Sequence, residues 1–223
     1  CTWWQLIQRR TIGGGGLKKA ISDLRTVIRD RNLVVFNAAS ATFNAGQQSF
    51  TTYLTLFLRD TAGASQPFAA LCVGLSQVMG ATGRVLWAYL SDRYTNGRRK
   101  SITVAIMTVA ASCMFIASGT NTSWHGAILI IIALALGGTI LAYAALLHTI
   151  CAEAAPKNLA GAAIGSNLFA TSLGGTVGPI LFGLIVDFTG GYALAWAVTG
   201  GMVLVGAMLV ALLFQETKSG TRS

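Results

Sequence analysis

Between residues 34 and 214 the chain carries six apolar runs, near 34–58, 67–90, 101–119, 125–150, 159–186 and 192–214. Each is long enough to cross a hydrocarbon core of ~30 Å, which takes ~20 helical residues. Inside lipid the backbone has no water to bond to, so each run must satisfy its own N–H and C=O groups as a helix. The expectation is an all-α membrane protein of six transmembrane helices. Short connections make successive helices antiparallel neighbours. The chain then divides into a cytoplasmic linker with an amphipathic helix at 1–33, a six-helix bundle at 34–214 and a cytoplasmic tail at 215–223.

Charge supports lipid as the surrounding solvent. Only 10% of residues are charged, against about 25% in soluble domains. The seven acids, Asp23, Asp30, Asp60, Asp92, Glu153, Asp187 and Glu216, all lie at or beyond the ends of apolar runs. The net charge of +9 would suit nucleic acid if the bases shared one soluble face, but they cluster between the runs. That pattern points to the lipid bilayer as partner and not to nucleic acid. Of the sixteen bases, fourteen fall on one side of the predicted topology, with only Arg59 opposite and Arg84 inside a run. By the positive-inside rule both ends and the loop with Arg98, Arg99 and Lys100 are cytoplasmic.

The front of the chain is soluble in character. Gly13 to Gly16 read as a flexible linker. Leu17, Ile21, Leu24 and Ile28 recur at helical spacing, with Lys18, Lys19, Arg25 and Arg29 on other faces. Two readings stand side by side: a helix lying on anionic headgroups, or an ordinary solvated linker helix. The sequence opens at Cys1 without a signal-peptide layout, which suggests a partial product lacking an upstream part. The four cysteines have no metal-site spacing.

The stretch from Gly83 through Arg84, Trp87, Ala88, Asp92 and Arg93 to Gly97, Arg98, Arg99 and Lys100 resembles the loop signature of major facilitator superfamily transporters. It departs from that pattern in having Ala88 in place of a glycine and two extra residues before Gly97. A second copy of the spacing, Gly183, Asp187 and Gly190, follows three helices later. An odd offset puts the copies on opposite sides, giving the 3+3 inverted repeat of one half of such a carrier. The segment from Glu153 through Pro156, Gly161, Gly165, Gly174, Gly178 and Pro179 to Gly183 is similar to the family's penultimate helix. Its Gly161/Gly165 and Gly174/Gly178 pairs have the small-xxx-small spacing that lets helices pack closely, and Pro179 can kink the helix. The resemblance covers about residues 34–214 and implies the carboxy-terminal six-helix half. Asp92, Arg93, Arg98, Arg99 and Glu153 would then form a conformational switch, with Glu153 pairing one of the arginines. The alternative is that the arginines only fix topology.

Polar groups within a span should face protein or a water-filled cavity. Asn37, Asn44, Gln48 and Thr51 share one helical face, and the resemblance implies that this helix lines the pathway. Asn44 and Gln48 are expected substrate contacts, with helix–helix bonding as the alternative. Gln77, Gly80 and Arg84 share a face of the second run. Arg84 either snorkels to the surface over ~9 Å or receives an anionic substrate on its forked guanidinium. Thr139 and Tyr143 lie on one face of the fourth run, with His148 nearly opposite. Asn44, Gln48, Gln77, Arg84 and Tyr143 are the candidate substrate residues. No nucleophile–base pair, metal spacing or phosphate loop is present, so neither an enzyme nor a cofactor is expected. The expected function is secondary active or facilitative transport of a small solute, with an organic anion slightly favoured. A partner is then needed, either a missing amino-terminal half or a second copy. The alternative is a non-transporting membrane subunit or an inactive fragment.

Overall fold

The computed structural model describes residues 14–94, 99–121, 124–156 and 158–215, and these contain helices and no strands. Helix α1 spans Gly14–Arg29 and α2 Arg31–Ala62. Asp30 separates them and caps α2, its carboxylate accepting from Asn32 N (2.9 Å) and Leu33 N (3.3 Å). Gly63 ends α2 in the left-handed region at φ 64°. Helices α3 (Gln66–Tyr94) and α4 (Arg99–Ser118) follow. The fourth apolar run is broken: α5 (Gly126–Leu136) passes into a π turn at Gly137–Leu141, and α6 (Ala144–Ala154) continues. Helix α7 (Ala160–Thr189) runs unbroken through Pro179 to Gly190, and α8 (Ala193–Leu213) completes the bundle.

All six apolar runs are therefore helical. Among the described residues four helices, α3, α4, α7 and α8, are long and apolar enough to cross a membrane by length and composition alone. Helix α2 has the length, 32 residues, but amides and hydroxyls lower its hydropathy. The fourth run is divided by its π turn. One expectation needs correction: α1 begins at Gly14, so the last three glycines of the tetraglycine are helical and not a linker.

Helices α2 and α7 run parallel, as two spans separated by three crossings must. Asn37 meets Ser166 near one end, Ala41 meets Gly174 and Ala45 meets Gly178 in the middle, and Tyr53 stacks on Phe182 (ring centroids 4.7 Å) further along. A β-carbon placed on Gly178 would fall 2.6 Å from Ala45 Cα, so hydrogen at that position is what lets the backbones touch. Gly174 and Gly178 pack as their spacing predicts; among the described residues nothing lies within 4 Å of a β-carbon placed on Gly161 or Gly165. Helix α8 lies antiparallel to α4, Gly200 against Ala111 and Met114, Gly206 against Met107. Between them sits a core of Phe36, Phe43, Phe50, Tyr143, Phe182 and Trp196, each almost fully buried.

Hydrogen bonds close both ends of the bundle. At one end Asn32 exchanges two bonds with the Gln215 main chain (2.8 and 2.7 Å), and Lys100 Nζ donates to Phe214 O at 2.6 Å. At the other, Tyr192 donates its hydroxyl to Asp60 (2.8 Å), and burial followed by that carboxylate pushes the phenol up to about 12. Val27 docks α1 onto the bundle while Ile21, Leu24 and Ile28 stay exposed. Large apolar side chains such as Phe188 (87% exposed) and Val85 (73%) cover the outer surface, an apolar skin suited to lipid.

Candidate functional site

The candidate substrate residues fall on three parts of the bundle. Asn44 is half-buried at the α2–α7 seam and donates from Nδ2 to Thr171 O (2.7 Å). Gln48, one turn further on, is exposed, and both side chains lie beside Gly175. Asn37 and Asn167 bind each other across the same seam (2.9 Å), with Asn37 also donating to Ser166 Oγ (3.0 Å). Tyr143 lies in the core, its ring 4.2 Å from that of Phe43. Gln77 and Arg84 are exposed on α3, two turns apart.

Arg84 is tied to the broken helix. Its Nε donates to Leu141 O at 3.2 Å, and Trp87 Nε1 donates to Gly138 O at 2.7 Å. A π turn disturbs the regular ladder of backbone bonds, so carbonyls there can accept from a neighbouring helix. The approach is close because α3 presents Gly80 and Gly83 to this turn. β-Carbons on these would lie 2.6 Å from Leu141 Cβ and 2.8 Å from Gly138 O. Gly137 in turn meets the Ser76 backbone. Thr139 donates its hydroxyl back to Ala135 O (2.7 Å), which commonly bends a helix. Helix α3 continues ten residues past Arg84 to Tyr94, about 15 Å at 1.5 Å per residue. The side chain bonds sideways to Leu141 and does not run along its own helix towards that end.

At the end where the chain enters and leaves the bundle, Arg99 Nη2 lies 3.4 Å from Glu153 Oε1 and joins α4 to α6. Arg93 is exposed nearby in sequence. Arg98 falls outside the described residues, as does the side chain of Asp92. Sequence reasoning missed the π turn and the part played by Trp87. Two cues carried it: a Gly137-Gly138 pair in mid-run, and an indole one turn beyond an intramembrane arginine.

Comparison with known proteins gives these features a family context. The sequence model of the Major Facilitator Superfamily matches residues 6–179. The probable sulfoacetate transporter SauU of Cupriavidus necator is 31% identical over 164 residues, covering 71% of this chain and 37% of that protein. The probable galactarate/D-glucarate transporter GudP of Bacillus subtilis is 26% identical over 198 residues, 85% of this chain and 41% of that protein. Among solved structures, the Escherichia coli fucose:proton symporter FucP superposes with a TM-score of 0.70 at 18% identity, over 86% of this chain and 45% of that one. The chain thus spans less than half the length of these proteins.

Proposed function

The chain belongs to the Major Facilitator Superfamily, and from that premise we propose that it is the carboxy-terminal half of a carrier moving a small organic anion across a membrane by alternating access. The family is one of transporters and not of enzymes, and the protein is a multi-pass membrane protein. The half works against an amino-terminal six-helix bundle, or a second copy, around a site near the bilayer midplane. Both ends lie in the cytoplasm of a cell whose plasma membrane holds the bundle, as the one-sided distribution of its bases favours.

The observation that carries the anion preference is Arg84, an exposed guanidinium within the apolar part of α3. Its guanidinium, which rests on Leu141 O through Nε, is a fork whose geometry matches a carboxylate or sulfonate. The substrates after which SauU and GudP are named are both acids, in keeping with that chemistry. Gln77, two turns away on α3, and Asn44 and Gln48 on α2 supply neutral hydrogen bonds to hydroxyls. Tyr143 supports this surface from the core. The Arg99–Glu153 pair, with Asp92, Arg93 and Arg98, holds the cytoplasmic end shut in one state and parts in the other.

The test is uptake of sulfoacetate, D-glucarate, an uncharged sugar and a cationic dye. Vesicles would hold the chain with an amino-terminal six-helix half and, separately, the chain alone. Anion uptake should need the second half. Arg84→Gln should lower it by about 10- to 100-fold, the worth of a charge-assisted pair, while leaving protein yield unchanged. Anion uptake that survives this substitution removes Arg84 from the site, and transport of the sugar or dye alone reassigns the substrate class.

A further inference from the structure

We propose that Arg84 and Trp87 form a two-point clasp on the π turn of the fourth span, with Trp87 the permanent point and Arg84 the point an arriving anion releases. The second half of this statement rests on the anion reading of Arg84; the first does not.

The two bonds differ in kind. The Trp87 indole has a single N–H, and it is spent on Gly138 O at 2.7 Å. No second donor or acceptor on that ring can serve a ligand, so Trp87 is a positioning residue. The Arg84 bond is longer, 3.2 Å, and uses Nε of a fork with five donors. An anion that takes the guanidinium edge formed by Nε and one Nη competes directly with the Leu141 carbonyl. A charged oxygen is the stronger acceptor of the two.

The clasped segment is built to move locally. Two glycines, Gly137 and Gly138, occupy the turn, and π turns inside long helices concentrate at functional positions. Gly83 on α3 lets the Gly138 carbonyl approach and Gly80 lets the Leu141 side chain approach, so the turn lies tight against α3 and a change in its geometry is felt there directly. Release of Leu141 O while Gly138 O stays held loosens the joint between the turn and α6, which Cys151 still ties to Ala163 O on α7. Helix α6 carries Glu153, whose partner Arg99 sits on α4. An anion at Arg84 thereby reaches the cytoplasmic-end ion pair through one joint and one helix, without touching either charge.

Hydrogen exchange read by mass spectrometry on the full chain in lipid nanodiscs tests both points. Trp87→Phe keeps an aromatic ring but removes the donor. It should speed exchange of backbone amides in peptides covering 137–147 by about 5- to 100-fold, the worth of an orphaned carbonyl, and leave peptides from α8 unchanged. Arg84→Lys, which keeps the charge, should speed the same peptides less. D-Glucarate added to the unsubstituted chain should speed exchange there, and in Arg84→Gln it should do nothing. Unaltered exchange in Trp87→Phe overturns the clasp. D-Glucarate that binds by calorimetry yet leaves exchange unaltered overturns the release step alone. Absence of binding when the nanodiscs also hold an amino-terminal six-helix half sinks the anion reading, and the release step with it, while the Trp87 result stands by itself. Should Trp87→Phe fail to insert, Gly83→Ala replaces it. Its β-carbon would crowd Gly138 O at 2.8 Å and should loosen the same peptides.

Discussion

At the scale of single residues, the amides of α2 are the most informative. Asn37 takes one hydrogen from Asn167 and gives one to Ser166 across the α2–α7 seam. In a bilayer such pairs contribute modestly, because the separated helices find other partners. Asn37→Leu should lower stability by about 0.5–2 kcal/mol. Asn37→Leu combined with Asn167→Leu should recover part of that loss, since neither amide is then stranded. Thermal unfolding of the four proteins in one detergent checks this, and strict additivity of the two losses would contradict the bond. Sequence placed Asn37, Asn44 and Gln48 on one face of one helix, which a wheel can do. It could not divide them between seam and exposed surface, because that depends on where α7 lies.

At the scale of elements, periodicity and run length located all six apolar helices, because lipid permits almost nothing else for such runs. The π turn left no mark on the apolar pattern of the run, since a shift of one residue in backbone pairing leaves that pattern intact, and its cues lay in the Gly137-Gly138 pair and Trp87 instead. Small-residue spacing meets a close neighbour at Gly174/Gly178 and open space among the described residues at Gly161/Gly165. The motif says that a close approach is possible, and the neighbour's position decides whether it happens. This contrast gives a paired prediction. Gly178→Ala drives a methyl into Ala45 and should cost about 1–3 kcal/mol of bundle stability, as overpacking does. Gly165→Ala meets open space and should be neutral or gain up to about 1 kcal/mol from helix propensity. Equal effects in a denaturation series would mean that α2 and α7 do not touch as described.

At the scale of the whole molecule, the arrangement of ends makes a topological prediction. Ser65 lies between α2 and α3, and Asn158 between α6 and α7; both are exposed. In a background with the native cysteines replaced, Ser65→Cys should react with an impermeant maleimide in intact cells. Asn158→Cys should react only after the membrane is opened. The reverse pattern would invert the proposed orientation. The orientation rests on the charge distribution of the sequence alone, whereas the closure of the bundle was not legible there, since the Asn32–Gln215 bonds join residues 183 positions apart. Those bonds have a consequence for rearranging the gene. Entry and exit strands of the chain are already neighbours, so a brief peptide bridge between them, with new termini opened between Tyr94 and Arg99, would yield a circular permutant. That permutant would keep an even crossing number and the same inward-facing ends. Helices α2 and α7 would meet again in their old register although the order of synthesis had changed, making assembly order separable from final architecture.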